Sequence, residues 1–225
     1  MTYILNIETA TKNCSVSIAK DGKNVILKEL NDGAYSHAEK LHVLIEEALN
    51  EAQISFSDLK AIAVSKGPGS YTGLRIGVSA AKGLCFALNI PLISVDTLLS
   101  LANSISITEG IKVPLLDARR MEVYSAIYSS ENEKLRAIEA QIITAESFYF
   151  YLKENKVYFL GDGAEKCKNL ITHENAKFMV DLFPSANEMS FLSYEKYKKS
   201  DFENVAYFEP FYLKDFVVTK SKKNG

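Results

Sequence analysis

Residues 61–88, AIAVSKGPGSYTGLRIGVSAAKGLCFAL, constrain the fold more than any other stretch. The apolar run Ala61, Ile62, Ala63, Val64 reads as a buried strand. The breaker cluster Gly67-Pro68-Gly69 ends it, and a helical pattern follows to about Leu88 with Thr72 as the expected N-cap. A strand, a glycine-rich turn and a helix in succession aim backbone N–H groups at the turn, a geometry that attracts anions. The phosphate-loop pattern nevertheless fails, because Leu74 and Arg75 follow Gly73 where Lys and Ser or Thr are required. The dinucleotide fingerprint fails too, with Thr72 where its third glycine belongs. Two readings of Gly67 and Gly69 stay open: an anion-facing turn, or a turn whose glycines only relieve backbone strain. Within the helix, Gly73, Gly77, Ala81 and Cys85 recur every four residues. Glycine in a helix costs about 1 kcal/mol against alanine. Close approach of a neighbouring helix is the expected compensation, either inside this chain or across a subunit interface.

The 225 residues are 47% hydrophobic and 24% charged, enough for one large or two small domains. A net charge of -2 gives no global field toward nucleic acid, so any RNA is expected to be held largely by a partner. No apolar run is long enough to span a membrane, and the N-terminus leads into a strand without a signal-peptide pattern. Cys14, Cys85 and Cys167 are far apart and form no CxxC pair, as expected of reduced thiols in a cytoplasmic protein. His37, His42 and His173 are too scattered for an obvious metal site.

The chain opens with three expected strands in a meander. These are residues 2–7, residues 14–19 with Cys14, Val16 and Ile18 alternating against Ser15 and Ser17, and an apolar stretch after the Asp21-Gly22 turn. Ser36 and Glu39 form a capping-box pattern for a helix whose stripe is Ala38, Leu41, Ile45, Ala48, Leu49 and Ala52. His37 reads as a capping-turn or surface residue. After residue 107 a second unit follows: strands around residues 113–116, 123–128, 133–138 and 157–160, and helices over 144–154 and 185–199. Asp117 is expected to pair with Arg119 or Arg120, either in a plain solvated hairpin or lining a cleft between lobes. Asp162, in the turn Gly161-Asp162-Gly163-Ala164, suits a helix N-terminus or a ribose hydroxyl. The basic ending at residues 219–225 reads as a solvated tail, with phosphate contact as the alternative.

The strings SKGPGSYTGLRIGVSAAKGL, LLDARRMEVYSAIY, GDGA and the Pro-x-Tyr-Leu-basic ending resemble the bacterial TsaB (YeaZ) family of tRNA threonylcarbamoyladenosine biosynthesis proteins. That resemblance implies an α/β fold of the actin-like ATPase (ASKHA, ribonuclease H-like) type. It has two lobes, each a mixed sheet flanked by helices, here expected at residues 1–107 and 108–225. It implies a non-catalytic partner of a TsaD-type subunit, working with a TsaE-type ATPase. Their complex transfers a threonylcarbamoyl group to the adenosine beside the anticodon of tRNAs reading ANN codons. It further implies homodimers when the chain is alone, tRNA contact mainly through the complex, no membrane, and no required cofactor. The catalytic paralogue carries two metal-binding histidines four apart after a related strand. Aligned on NIPLISV, those positions fall at Thr97 and Leu101, neither a useful transition-metal ligand. No catalytic or metal-binding residue is therefore expected. Expected at the partner interface are Ser36, Leu41, Ile45, Gly73, Gly77 and Ala81. Candidates for weak ATP or ADP contact in the cleft are Glu8, Thr9, Gly67, Gly69, Asp117, Arg119 and Asp162. Two alternatives are an active small-molecule kinase of the same superfamily and a metal-dependent glycoprotease-type hydrolase. The kinase needs a phosphate-loop aspartate, where Glu8 stands with no glycine after it.

Overall fold

The structure is a computed structural model, and it describes residues 1–31 and 36–213. The basic ending at 219–225 and Lys214 lie outside the described residues. Strands β1 (Tyr3–Glu8), β2 (Cys14–Lys20) and β3 (Lys23–Leu30) lead into helix α1 (His37–Glu51). Strand β4 (Leu59–Gly67), helix α2 (Tyr71–Leu88), strand β5 (Leu92–Asp96) and helix α3 (Thr97–Asn103) complete the first half. The second half holds β6 (Ile111–Asp117), β7 (Glu122–Ser129), β8 (Lys134–Ile142), α4 (Tyr149–Leu152), β9 (Val157–Leu160), α5 (Ala164–Lys168), β10 (Ala176–Met179) and α6 (Ala186–Lys198).

The two halves repeat one plan. The first sheet runs β3-β2-β1-β4-β5 and the second, read the same way, β8-β7-β6-β9-β10. In each, three strands pair antiparallel as a meander and two more add in parallel. Parallel pairs need a crossover, and the helices α2 and α5 after β4 and β9 belong to those crossovers.

Both faces of the central strands are covered, which is why they read as unbroken apolar runs. Along β1 and β4, Leu5, Ile7, Ile62 and Val64 face the core under α1 and α2. The alternate residues Ile4, Ala61 and Ala63 pack with Met189 of α6. That second cover comes from the far end of the chain. In exchange, Leu98, Leu101 and Ala102 of α3 pack on Leu116, Ala126, Tyr128 and Leu160 of the second sheet. The two sheets lie on either side of residue 107, while α3 packs on the second sheet and α6 on the first. Local pattern shows only that each helix has an apolar face, and the sheet left uncovered by its own neighbours decides where that face goes.

The exchange also changes β2. Ser15 and Ser17 are fully buried although their alternation reads as a solvated face. The Ser15 hydroxyl accepts the Ala186 N–H at 2.9 Å, and the Ser17 hydroxyl donates to the Ala186 carbonyl at 2.7 Å. Buried hydroxyls need such partners.

Several local expectations need correction. The N-cap of α2 is Ser70, whose hydroxyl accepts from Gly73 N–H at 3.2 Å, and Thr72 lies inside the helix. Ser36 precedes α1 without a side-chain capping bond. The helix expected over 144–154 is only the short α4, because Phe148 adopts a left-handed backbone conformation before it. All three cysteines are buried free thiols. Among the described residues no helix is long and apolar enough to cross a membrane.

Candidate functional site

The glycine turn is filled by the chain itself. The loop after β1 lies directly on it: Ser70 N–H donates to the Ala10 carbonyl at 2.6 Å, and a Cβ on Gly69 would meet that same carbonyl. Gly67 has φ +110, which favours glycine, and its N–H donates to the Thr97 hydroxyl at 3.1 Å. Glu8 ends β1 with no exposure to solvent. One of its oxygens accepts the Ala10 N–H at 2.6 Å and the Ser65 hydroxyl at 2.8 Å, while the other has no partner among the described residues. Burial pushes its carboxyl up to about 7, against the opposing pull of these hydrogen bonds. Thr9 is equally buried, its hydroxyl donating to the Gly73 carbonyl at 2.8 Å. Glu8, Thr9, Gly67 and Gly69 thus lock two loops together and do not face an open cleft.

The ridge of small residues on α2 has the same explanation. A Cβ on Gly73 would overlap the Thr9 carbonyl oxygen, and one on Gly77 the Thr9 hydroxyl. The close neighbour is a loop of this chain, not a helix and not a partner. Leu41, Ile45 and Ala81 are likewise in the core, with at most 1% exposure. Of the residues expected at a partner interface, Leu41, Ile45, Gly73, Gly77 and Ala81 are buried within this lobe, and Ser36 is half-buried. His37 is buried as well, its Nε2 at 2.7 Å from the Thr11 carbonyl oxygen, and is not a surface residue.

At the second lobe, Asp117 and Asp162 do come together. Asp162 accepts the Asp117 N–H at 3.0 Å, and burial raises its carboxyl above the ordinary range. Asp117 accepts from the Lys166 ammonium of α5 at 2.7 Å and from the Arg119 backbone N–H at 2.6 Å, and pairs with neither arginine side chain. Lys166 also donates to the carbonyls of Arg120 and Glu122 and so fastens the β6–β7 turn. Arg119 and Arg120 take positive φ there, and their side chains are exposed. Lysine 166 was not singled out in the sequence, because its partners lie more than forty residues away.

A concave surface lies on the outside of the first lobe. A cavity of about 740 Å³ lies between α1 and α2, lined by Ala38 and His42 on α1 and by Tyr71, Thr72, Arg75, Ile76, Ser79, Ala80, Gly83 and Leu84 on α2. Gly83 is the informative residue. A Cβ built on it meets nothing within 4 Å, so none of the described residues requires glycine there. Phe86, three residues on, is 85% exposed. This glycine was legible as a helix-interior glycine but falls off the four-residue ridge.

Thr97 and Leu101 are both buried, Leu101 in the core of the second lobe. Among the described residues no group of three or more His, Cys, Asp or Glu side chains is placed to hold a metal ion.

The family model "TsaD: tRNA N6-adenosine threonylcarbamoyltransferase" matches residues 31–222. A tRNA N6-adenosine threonylcarbamoyltransferase of Bacillus thuringiensis (strain Al Hakam) is 35% identical over 130 residues, 51% of this chain but only 38% of that protein. The tRNA threonylcarbamoyladenosine biosynthesis protein TsaB of Bacillus subtilis (strain 168) is 31% identical over 201 residues, 86% of this chain and 87% of that one. The chain belongs to the TsaB family. The TsaB relative is matched over most of both lengths, whereas the transferase is matched over 38% of its own length. YeaZ from Pseudomonas aeruginosa superimposes with a TM-score of 0.80 at 25% identity, covering 95% of this chain and 100% of that one. A TsaB-family chain of this length thus carries the two-lobed, actin-like fold without the glycine turn being open.

Proposed function

We propose that this chain, a TsaB-family protein of tRNA threonylcarbamoyladenosine biosynthesis, is the non-catalytic partner of a TsaD-type transferase, acting with a TsaE-type ATPase in the cytoplasm. Docking is through the outer faces of α1 and α2, not through the buried ridge. The observation that carries this reading is Gly83. It forgoes about 1 kcal/mol of helix stability with open space above it among the described residues, in the lining of the α1–α2 groove toward the C-terminal end of α2. A closely packed foreign helix accounts for a glycine in that place. When the chain is alone, a second copy is the occupant we assign to the same face. The non-catalytic role is supported by Thr97 and Leu101 in place of a histidine pair, both buried. No resident nucleotide is needed, and the filling of the glycine turn by Ala10 and Ser70 supports this.

Co-purification with the TsaD-type subunit of the same organism tests the reading, together with tRNA modification by each protein alone and by both. Pairing, and activity only with both, is the expected result. Gly83→Arg should keep the melting temperature of the wild type yet lose pairing, because its side chain enters only the groove. A wild type that does not pair ends the partner reading. A Gly83→Arg variant that pairs normally ends the assignment of the face.

A further inference from the structure

The α1–α2 groove has one formally charged residue in its lining, Arg75, and it is held in an unusual way. Its guanidinium lies over the Tyr71 ring, 4.1 Å from the ring centre. Its Nε–H donates to the Tyr212 hydroxyl at 3.2 Å, and the Tyr212 ring itself rests on Tyr71 at 4.9 Å. Tyr212 arrives from the other end of the chain. Residues 203–212 run back along the first lobe as a strap: Glu203 N–H donates to the Leu92 carbonyl at 2.8 Å, Lys82 donates to the carbonyls of Ala206 and Phe208, and Phe211 N–H donates to the Lys66 carbonyl at 2.7 Å. The strap is thus fastened at three places before it reaches the groove. It spends its last described side chains on fixing one arginine.

A surface arginine normally samples many rotamers, at a cost of order 1.5–2 kcal/mol when it is ordered. Here a stacked ring on one face and a hydrogen bond at Nε restrict that sampling before any partner arrives. No hydrogen bond or ion pair to either terminal nitrogen is found among the described residues. Glu209 of the strap is close enough for Arg75 to feel its charge but forms no ion pair with it. The two terminal nitrogens form the planar fork that receives a carboxylate through two parallel hydrogen bonds. The same groove is lined by the apolar Ala38, Ile76, Ala80 and Leu84, with Gly83 between the last two in sequence.

Resting on the docking reading above, we propose that Arg75 is the polar anchor of this groove, receiving a side-chain carboxylate from an otherwise apolar helix of the protein partner. Tyr212 is its positioning residue. The charge complement decides the occupant: one fixed cation in an apolar groove matches one acid on an apolar helix face. Desolvated on docking, such a pair sets register and discriminates against helices that lack the acid.

The test measures affinity for the TsaD-type subunit across a range of salt concentrations. Arg75→Gln should weaken binding about tenfold or more and flatten the salt dependence. Arg75→Lys should keep the salt dependence but not the full affinity, because a point charge cannot make the paired contact. Tyr212→Phe, which removes only the hydroxyl, should weaken binding about two- to fivefold in the wild type and not at all in Arg75→Gln. That non-additivity is what a merely structural tyrosine would not give. Gly83→Arg, run in parallel, separates the two ideas. If Gly83→Arg abolishes binding while Arg75→Gln binds with wild-type affinity and salt slope, the anchor is wrong and the docking face stands. If neither variant matters, or the wild type does not bind, both fall. Inorganic phosphate at matched ionic strength should not compete. Competition would assign Arg75 to a free anion and overturn the carboxylate.

Discussion

Gly73→Ala should destabilise this protein by about 3 kcal/mol, while Gly83→Ala, ten residues along the same helix, should stabilise it by up to about 1 kcal/mol. The same chemical change has opposite signs because the two positions face different surroundings. At Gly73 the new methyl overlaps the carbonyl oxygen of Thr9. That carbonyl cannot retreat cheaply: the Ala10 N–H is held by Glu8 at 2.6 Å and the Ala10 carbonyl by Ser70 N–H at 2.6 Å. Relief requires moving either α2 or the loop, and the His37 ring, 3.2 Å from the added carbon, blocks another direction. At Gly83 the methyl enters open space and only the helix-propensity gain remains. Urea unfolding of both variants checks this. For a chain of this size the Gly73→Ala loss corresponds to about 6–12 °C in melting temperature. Equal and small effects at both positions would mean that the Thr9 loop yields, and that the close approach described at Gly73 is not rigid. By the same geometry Gly77→Arg, which an interface on the small-residue ridge would leave folded, is expected to unfold the first lobe.

The stability of wild type relative to Glu8→Gln should fall by about 3 kcal/mol between pH 4.5 and pH 8. Burial raises the Glu8 carboxyl from its ordinary 4.5 to about 7. At about 1.4 kcal/mol for each pH unit between those values, the folded protein's stronger hold on this proton is worth about 3 kcal/mol. The sign follows from which state binds the proton better. The folded state does, so the contribution is complete below pH 4.5, is lost as pH rises to about 7, and is constant above. Glu188, whose carboxyl is also raised by burial, adds to Glu8 in the same direction and remains in both proteins. The comparison with Gln isolates Glu8. Glutamine keeps the oxygen that accepts from Ala10 and Ser65, but places an amide where the unpartnered oxygen stands. That amide costs about 1–3 kcal/mol at every pH. The measurement therefore reads the slope with pH and not the offset. A difference between the two proteins that is independent of pH would show that Glu8 titrates alike in the folded and unfolded chain.

Both predictions turn on a loop that the sequence presents as a phosphate approach. The resemblance suggests Glu8 and Thr9 for nucleotide contact, and the glycines of the 67–69 turn invite an anion. The fold instead seats the loop on the turn, with Ala10 in the space and Thr9 against the helix. Nothing in the local spacing reveals this, because the contacts join residues about sixty apart: Glu8 with Ser65, Thr9 with Gly73.

The sequence by itself determined most of the strands and the longer helices, since periods of 2 and 3.6 and strong breakers are local signals, but not the short β10 (Ala176–Met179). The motif strings determined the family. The two-lobed plan followed from that family, and the lack of a histidine pair at Thr97 and Leu101 could be read directly. Tertiary structure alone decided which glycines are structural and which is spare, because a glycine's role depends on what stands above it. It decided that α3 and α6 trade lobes, since an apolar helix face carries no address. It also decided that Lys166 answers Asp117 and that Tyr212 holds Arg75, 137 residues away. Charges and hydroxyls pair by proximity in space, and proximity is what the fold creates.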